Sequence, residues 1–404
     1  MAMRPFTSTI RFDEALRLVL DAAVPLSRTD RVPLTEADAR VLARDVVASM
    51  DVPPFDRAAM DGYAVVAADT VGASSSSPRV LRCIDRVFTG QTPGRPVTTG
   101  ACIEVATGAP MPAGADAVVM VEETDRAGED VRVRAAVVPR QNVGRRGADV
   151  TAGQTVVHAG DTLSPARVGA IAATGAISVD VFARPSVALL STGNEIVEPG
   201  ERLAPGQIYD INRFTLGALV RRHGGVPAPL PIAGDSMGAL SEALDRALSH
   251  DIVIFSGGSS VGERDLILDV LRQRGTVLFH GIAVKPGKPT AFGSINDIPV
   301  FGMPGYPTSC LSNGYMLLVP FLRQVARLPP WTPRTIEAPL ARRVASAKDR
   351  HQFYPVRLVN GAAEPAFKAS GDITSMANAD GYFEIPADTE SIDAGTRVKV
   401  TLFD

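Results

Sequence analysis

Apolar residues recur at helical spacing in two segments near the start of the chain, and a different pattern follows them. Residues 12–23 and 35–43 both show this spacing, and the second opens with a threonine and an acidic first turn, as helix N-termini often do. From about residue 51 to 141, short β-rich pieces alternate with turn clusters, for example at 63–66, 80–84 and 131–134. We therefore predict a helical N-terminal segment followed by an inserted β-rich domain.

Strands and helices alternate in the second half of the chain. Ser164 and Pro165 are typical of a helix start. Beyond residue 184 the pattern predicts strands at 187–190, 230–233, 252–255 and 277–279, and helices at 214–222, 237–248, 266–274 and from 308. The strand runs are short and apolar, as in strands buried on both faces of a parallel sheet. This series predicts a doubly wound parallel sheet. Prolines between 327 and 334 then precede alternating segments at 352–358 and 397–402.

The predicted fold class is α/β plus β, in several domains. We expect a discontinuous linking domain of residues 1–50 and 142–183, with helices and strands, and an inserted β-rich domain of residues 51–141. A doubly wound α/β ligand-binding domain would span 184–326, and a small C-terminal β domain would span 327–404.

Composition narrows the class of protein. The chain has 404 residues, 45% of them hydrophobic, which is enough for several domains with cores. Its formal net charge of −3 gives no basic field for nucleic acid or an anionic membrane, so neither partner is expected. Cys83, Cys102 and Cys310 are far apart and fit neither a disulfide framework nor a zinc site. With no leader pattern and no long apolar run, we expect a chain of the reducing cytoplasm.

Candidate ligand residues follow the predicted strands. Ser256, Gly257, Gly258, Ser259 and Ser260 open a loop whose N–H groups suit an anion, at the strand end where α/β sheets bind ligands. Anion binding by this loop is preferred to a nucleophilic role for its serines.

Three carboxylates occupy equivalent strand-end loops: Glu195, Asp235 and Asp265. Oxygen ligands of this kind suit Mg²⁺ that bridges to substrate phosphates. The alternative is that each carboxylate caps the helix that follows it.

Two further loops carry candidate binding groups. Lys285 and Lys288 lie in a proline-flanked loop and would neutralise phosphate or another oxyanion, although a charged surface loop is the alternative. Pro304 and Gly305 form a turn before a helix, in which Tyr306 either stacks on a planar ring or only begins the helix. The lysine segment is not a P-loop, and no dinucleotide fingerprint follows the strands. The five histidines have no metal-ligand spacing, which favours structural or surface roles.

Several sequence motifs of this chain resemble those of the molybdopterin molybdenumtransferase family, which includes the MoeA proteins and the E domain of gephyrin. The resemblance runs over nearly the whole chain and rests on PFDRAAMDGYA at 54–64, TGAPMPAGADAVV at 107–119, STGNE at 191–195, SGGSSVGERD at 256–265, KPGKP at 285–289, GMPGYP at 302–307 and SGDITSMANADG at 370–381. It implies Mg²⁺-dependent insertion of molybdate into adenylated molybdopterin, with release of AMP. It also implies an elongated homodimer, with molybdopterin adenylyltransferase and molybdoenzyme-maturation proteins as further partners.

The resemblance also assigns roles to residues that composition and spacing leave unassigned. Asp61 and Thr107 would lie on a loop-lined cleft reached by the other subunit, and Ser370 would bind substrate. Glu195, Asp235, Asp265, Lys285 and Lys288 would complete the catalytic set. The chain departs from the family's usual pattern at three places. It has Arg57-Ala58 where Asn-Ser is common, and Tyr306 where Asn is common. It also has Ser259-Ser260 where the family usually has an aliphatic residue followed by serine. A tungstate-inserting variant, a molybdopterin adenylyltransferase and a non-catalytic molybdopterin-binding scaffold are the alternative functions.

Overall fold

The computed structural model describes residues 9–257 and 266–403. The chain divides into two compact units, one of Met1–Asp30, Ala39–Val41 and Phe182–Asp404, and the other of Arg31–Asp38 and Leu42–Val181. The helices, in chain order, are α1 Phe12–Asp21, α2 Pro165–Ala173, α3 Asn212–Arg222, α4 Met237–Ala247, α5 Leu266–Arg274, α6 Pro307–Asn313, α7 Val319–Val325 and α8 Thr374–Ala377. A π-helical turn, Gly314–Leu318, joins α6 to α7. No helix of the described ranges is long and apolar enough to cross a membrane.

The strands of the first half are short. They are β1 Thr29–Pro33, β2 Val46–Val47, β3 Arg57–Ala58, β4 Gly62–Val65, β5 Arg79–Val87, β6 Ala101–Val105, β7 Ala117–Met120, β8 Thr124–Ala127, β9 Asp130–Val133, β10 Val143–Gly144, β11 Thr155–Val157 and β12 Ser178–Phe182. Those of the second half are β13 Ser186–Ser191, β14 Ile196–Val197, β15 Ile208–Tyr209, β16 Val226–Pro229, β17 Ile252–Ser256, β18 Thr276–His280, β19 Val284–Lys285, β20 Ala291–Ile295, β21 Ile298–Met303, β22 Thr335–Pro339, β23 Val344–Ala345, β24 His351–Val359, β25 Ala362–Pro365, β26 Gly381–Ile385, β27 Ser391–Ile392 and β28 Arg397–Leu402.

The second unit is built on a six-stranded sheet with the order β7-β4-β6-β5-β9-β8. Both faces of this sheet carry apolar side chains: Cys83 and Cys102 lie in one buried cluster, and Ile103 and Val105 lie in another. The alternation along β6 therefore follows the two-residue period of a strand. Short strands dominate residues 51–141, as the sequence pattern predicts, and the bounds of the inserted domain stay a prediction.

The predicted helix at 35–43 is wrong. Only a 3₁₀ turn, Leu34–Glu36, forms there. Ala39 adopts a left-handed conformation with φ of 58°, which ends any right-handed helix. Leu42 donates its N–H to the carbonyl of Asp161 at 2.9 Å and pairs with Val181. Its backbone bonds therefore go to distant segments instead of the preceding helical turn, whereas α2 forms as predicted with Ser164 as its cap.

The α/β sheet of the first unit has the order β16-β13-β17-β21-β20-β18. Four of these strands, β16, β13, β17 and β21, are parallel. The sheet is mixed rather than wholly parallel, because β20 runs antiparallel to both β21 and β18. A short loop at Asn296 and Asp297 joins β20 to β21, and such a hairpin leaves no room for a crossover helix. The strand expected at 230–233 lies earlier, at Val226–Pro229.

Both faces of the parallel strands are buried. Val187 and Leu189 pack into one core with α3 and α7, whereas Ala188 and Leu190 pack into the other with α4 and α5. This explains why the strands are continuously apolar in sequence. A second sheet of the same unit has the order β19-β24-β26-β28-β22, with β25 added on β24.

Candidate active site

The parallel strands end at one edge of the α/β sheet. Ser191 of β13 pairs with Ser256 of β17, and Ser256 pairs in turn with Met303 of β21. The loops that follow these three strands therefore start side by side. They carry most of the residues that the sequence predicts to bind substrate or metal, as expected for the carboxyl edge of such a sheet.

Asn194 joins the two loops that hold the predicted metal ligands Glu195 and Asp235. The N–H of Asn194 donates to Oδ2 of Asp235 at 3.1 Å, and Oδ1 of Asn194 accepts the N–H of Asp235 at 3.3 Å. Thr192 and Ala233 also pair at the base of the same loops. This reciprocal pair of hydrogen bonds brings the Glu195 and Asp235 loops together, and both carboxylates are exposed.

The donor chemistry of these loops fits Mg²⁺, because carboxylate oxygens are its preferred protein ligands. In the part of the chain that is described, no cluster of three acidic, histidine or cysteine side chains forms. Glu195 and Asp235 would thus supply two protein ligands, which suits an ion that usually keeps several waters. Asp265, the third predicted ligand, lies outside the described residues.

Ser256 and Gly257 begin the predicted anion-binding loop. Ser256 is buried, and its hydroxyl lies 3.3 Å from that of Ser191, so this side chain joins two strands. Gly257 has a φ of +103°, and a Cβ there would lie 2.2 Å from the carbonyl oxygen of Thr192. Only glycine fits this position. Gly258, Ser259 and Ser260 lie outside the described residues.

The turn at Pro304, Gly305 and Tyr306 follows β21 directly. Pro304 is buried, whereas the side chain of Tyr306 is 68% exposed and is available to stack on a ligand. Asn212, at the start of α3, donates from Nδ2 to the carbonyl of Gly305 at 2.8 Å. Ser370 lies beside this turn, since its carbonyl accepts the N–H of Thr308 at 3.1 Å.

The lysine loop, residues 285–289, connects the two sheets of the unit. Lys285 ends β19, which pairs with β24. Lys285 is exposed and Lys288 is half-buried. Two fully buried side chains, Thr290 and Asn313, donate to the carbonyl of Gly287 in the middle of the loop, each at 2.9 Å. The ammonium groups are thus carried by a fixed backbone.

In the other unit, Asp61 and Thr107 contact each other directly. Thr107 donates its N–H to Oδ1 of Asp61 at 2.6 Å and its hydroxyl to the same oxygen at 2.9 Å. The backbone bond first, and then the hydroxyl bond, lower the pKa of Asp61. A cavity of about 180 Å³ borders Asp61, Phe88 and Glu104. Gly62 begins β4 here, so Asp61-Gly62 leads into a strand.

Sequence reasoning missed the amide side chains that hold these loops. Asn194 lies within the STGNE motif at 191–195, but nothing in the spacing of that motif indicates that Asn194 binds Asp235. Asn212 and Asn313 lie on helices, and neither belongs to a sequence motif that predicts a binding or catalytic role. Their partners are far along the chain, so no local pattern could have identified them.

Comparison with protein families gives three matches that together cover most of the chain. The model of the MoeA N-terminal region (domain I and II) matches residues 10–175. The model of the probable molybdopterin binding domain matches residues 188–324, and that of the MoeA C-terminal region (domain IV) matches residues 337–403.

Individual proteins match over nearly their full length. Molybdopterin molybdenumtransferase 2 of Mycobacterium tuberculosis is 36% identical over 380 residues, which cover 91% of this chain and 94% of the relative. The molybdopterin molybdenumtransferase of Haemophilus influenzae is 35% identical, over 80% of this chain and 79% of its own. A crystal structure of a molybdopterin biosynthesis MoeA protein from Pyrococcus horikoshii superimposes with a TM-score of 0.85 at 40% identity, covering 98% of this chain and 100% of that one.

Proposed function

This chain belongs to the molybdopterin molybdenumtransferase family, the transferases of molybdenum cofactor biosynthesis, and we propose that it inserts molybdate into adenylated molybdopterin and releases AMP. The family resemblance noted in the sequence is confirmed, as are the multidomain α/β plus β fold class and the assignment as a transferase. The identity of the reacting partners, the metal and the roles of individual residues are part of the proposal.

One observation carries the proposal: the loops that hold Glu195 and Asp235 start at the same sheet edge as the turn at Tyr306. A substrate with a planar pterin and a phosphoanhydride needs both a stacking surface and a charged end. Exposed Tyr306 would provide the stacking surface for the pterin. The strand-end carboxylates would provide the charged end by holding a cation that binds the phosphoanhydride.

Charge explains the need for the lysine loop. Molybdate is a dianion, and it must approach a substrate that already carries phosphates. Lys285 and Lys288 would offset this repulsion from a backbone held by Thr290 and Asn313, so little reorganisation would accompany binding. Ser370, beside the Tyr306 turn, would contribute a further hydrogen bond to the substrate.

Mg²⁺ is the cation that these donors suit, and Glu195, Asp235 and Asp265 are the residues proposed to hold it. When bound, it would polarise the phosphoanhydride as AMP leaves. The chain's own side chains would bind and orient the two anions, and no covalent intermediate is needed. The homodimer, and contacts with an adenylyltransferase or with molybdoenzyme-maturation proteins, remain proposals that the resemblance implies.

The test is AMP release from adenylated molybdopterin by the purified protein, with and without molybdate. We expect release that requires both molybdate and Mg²⁺ and that is lost with EDTA. Lys285→Gln and Lys288→Gln should each raise the KM for molybdate. Lys399→Gln, at an exposed lysine of strand β28, is the matched control and should leave it unchanged.

Three results would contradict the proposal. Release that responds to tungstate but not to molybdate would indicate the tungstate-inserting variant. Formation of adenylated molybdopterin from ATP and molybdopterin would indicate an adenylyltransferase. Tight binding of adenylated molybdopterin without AMP release would indicate a scaffold. Light scattering of the same sample measures whether the chain is a dimer.

A further inference from the structure

Helix α6 contacts three of the segments proposed to bind substrate. It begins directly after the Pro304-Gly305-Tyr306 turn. Its first turn is hydrogen-bonded to residues 370–372, which we call the Ser370 segment. Its last residue is hydrogen-bonded to the lysine loop. Its side chains Thr308, Ser309, Cys310, Ser312 and Asn313 are buried, so they face other parts of the protein instead of solvent.

At the C-terminal end of α6, Asn313 is bonded to the lysine loop. The Nδ2 group of Asn313 donates to the carbonyl of Gly287 and to the hydroxyl of Thr290, and that hydroxyl donates to the same carbonyl at 2.9 Å. Both Asn313 and Thr290 are 0% exposed. A Cβ on Gly287, which has a φ of +104°, would lie 2.4 Å from Nδ2 of Asn313. The loop backbone therefore packs directly on the amide, and only glycine permits this approach.

At the N-terminal end of α6, Thr308 is bonded to the Ser370 segment. Its N–H donates to the carbonyl of Ser370 at 3.1 Å, and its hydroxyl donates to the carbonyl of Asp372 at 2.9 Å. Thr308 is also 0% exposed. The first bond uses a backbone N–H of the helix start, which has no partner within the helix. Together with the hydroxyl bond, it fixes a segment from the C-terminal part of the chain.

The helix itself is rigidly anchored. Cys310, Leu317 and Leu318, in α6 and the π-helical turn after it, lie in the core cluster that contains Val187 and Ile254 of the parallel strands. Close packing of this kind leaves a helix few alternative positions. A loop that is hydrogen-bonded to α6 is therefore held in a fixed position relative to the edge where the parallel strands end.

We propose that α6 sets the position of the lysine loop relative to the Tyr306 turn and the Ser370 segment, with Asn313, Thr290 and Thr308 as positioning residues for oxyanion binding. The inference rests on the proposed function only in taking molybdate as the oxyanion that the lysine loop binds. Asn313 acts through Gly287, so its loss would move Lys285 and Lys288 without removing any charge. Binding sites depend on such supporting residues because displacements of an ångström or less weaken them.

The experiment uses the full chain and conservative pairs of variants. Thr290→Val removes the hydroxyl at nearly constant volume, and Thr290→Ser restores it. Asn313→Ala removes the amide, and Thr308→Val tests the other end of the helix. Ser312→Ala is the matched control, because this equally buried hydroxyl donates at 2.7 Å to the carbonyl of Thr308 within the helix. Backbone hydrogen exchange, the KM for molybdate and kcat are measured for each variant.

We expect Thr290→Val and Asn313→Ala to speed amide exchange in residues 284–290 and to raise the KM for molybdate about tenfold, with a smaller change in kcat. Thr290→Ser should restore both values. Thr308→Val should speed exchange in residues 370–373 instead, and Ser312→Ala should change neither segment. Unchanged exchange in the lysine loop of Thr290→Val, or faster exchange with an unchanged KM, would overturn the inference.

Failure of the proposed function gives a different result. If the wild-type protein releases no AMP but binds molybdate in equilibrium dialysis, only the proposed reaction is refuted, and the dialysis decides the inference. Roughly tenfold weaker molybdate binding by Thr290→Val would then support it, and equal binding would refute it. If the wild-type protein does not bind molybdate, both proposals fail.

Discussion

Thr107 binds one carboxylate oxygen of Asp61 twice, through its backbone N–H at 2.6 Å and through its hydroxyl at 2.9 Å. Both residues are exposed, and both lie at strand ends in the β-rich sheet. The two donors stabilise the ionised form of Asp61 and lower its pKa. Asp61 is therefore held charged and in a fixed orientation at neutral pH.

The first prediction concerns the pH dependence of this pair. Thr107→Val keeps the N–H but removes the hydroxyl, so the pKa of Asp61 should rise toward the ordinary value of about 3.9. The acidic limb of the activity profile should then move to higher pH, whereas Thr107→Ser should behave like the wild type. Asp61→Asn should lower activity at every pH. Because the folded pKa is lowered, the pair's contribution to stability is full above about pH 4 and is lost as the pH falls through the folded pKa.

A profile of AMP release against pH for these variants is the measurement. An unchanged acidic limb in Thr107→Val would show that the ionisation of Asp61 does not limit the reaction.

The second prediction separates the two roles of the Asn194–Asp235 contact. Asp235→Asn keeps an oxygen that accepts the N–H of Asn194 but removes the negative charge, so we expect Mg²⁺ affinity to fall about tenfold or more with the loop unchanged. Asn194→Ala keeps both carboxylates but removes the acceptor of Asp235 N–H, and should weaken Mg²⁺ less while speeding amide exchange in residues 193–196 and 233–236. Titration of Mg²⁺ by calorimetry measures both. Equal Mg²⁺ affinity in Asp235→Asn and the wild type would remove Asp235 from the proposed ligands.

The third prediction concerns Tyr306, whose ring is 68% exposed. Stacking uses the ring face, so Tyr306→Phe should keep the KM for adenylated molybdopterin within about twofold of the wild type, whereas Tyr306→Ala should raise it roughly three- to tenfold. Since the ring is exposed, neither change should alter the melting temperature by more than about 1 °C. A large loss in Tyr306→Phe with full activity in Tyr306→Ala would exclude stacking.

The fourth prediction is a stability test at the base of the α/β sheet. Arg28 binds both oxygens of Asp251 at 2.5 Å, and the N–H and hydroxyl of Ser186 bind Oδ2 at 2.7 and 2.8 Å. Burial alone would raise the pKa of Asp251, but the hydrogen bonds from Arg28 and Ser186 outweigh it and lower the pKa. Asp251→Asn should therefore reduce the free energy of unfolding by about 1–2 kcal/mol at pH 7.

The difference between the wild type and Asp251→Asn should shrink below about pH 4, because a lowered folded pKa means that the stabilisation is lost as the pH falls. The control is Arg17→Ala, which breaks the exposed pair Arg17–Asp21 and should cost no more than about 0.5 kcal/mol. Urea denaturation at pH 7 and pH 3.5 measures both. A difference as large at pH 3.5 as at pH 7 would show that the bonds act independently of charge.

Much of the fold follows from local patterns, because a segment buried on both faces must be apolar throughout. Ile252–Ser256 and Ser186–Ser191 are strands for this reason, and α2 begins where a serine cap and a proline predict. The helix expected at 35–43 fails because Leu42 bonds to Asp161, a partner more than a hundred residues away. The spacing of residues 35–43 alone contains no information about that partner.

In the candidate site, too, some features follow from the sequence and others only from the tertiary structure. The sequence by itself determined which residue types are present: carboxylates after predicted strands, lysines that each precede a proline, and glycine at position 257. Only the tertiary structure decided that Asn194 joins two of these loops and that Asn313 and Thr308 hold two more. The physical reason is that covalent geometry and burial act over a few residues, whereas a hydrogen bond between distant segments exists only after the chain has packed.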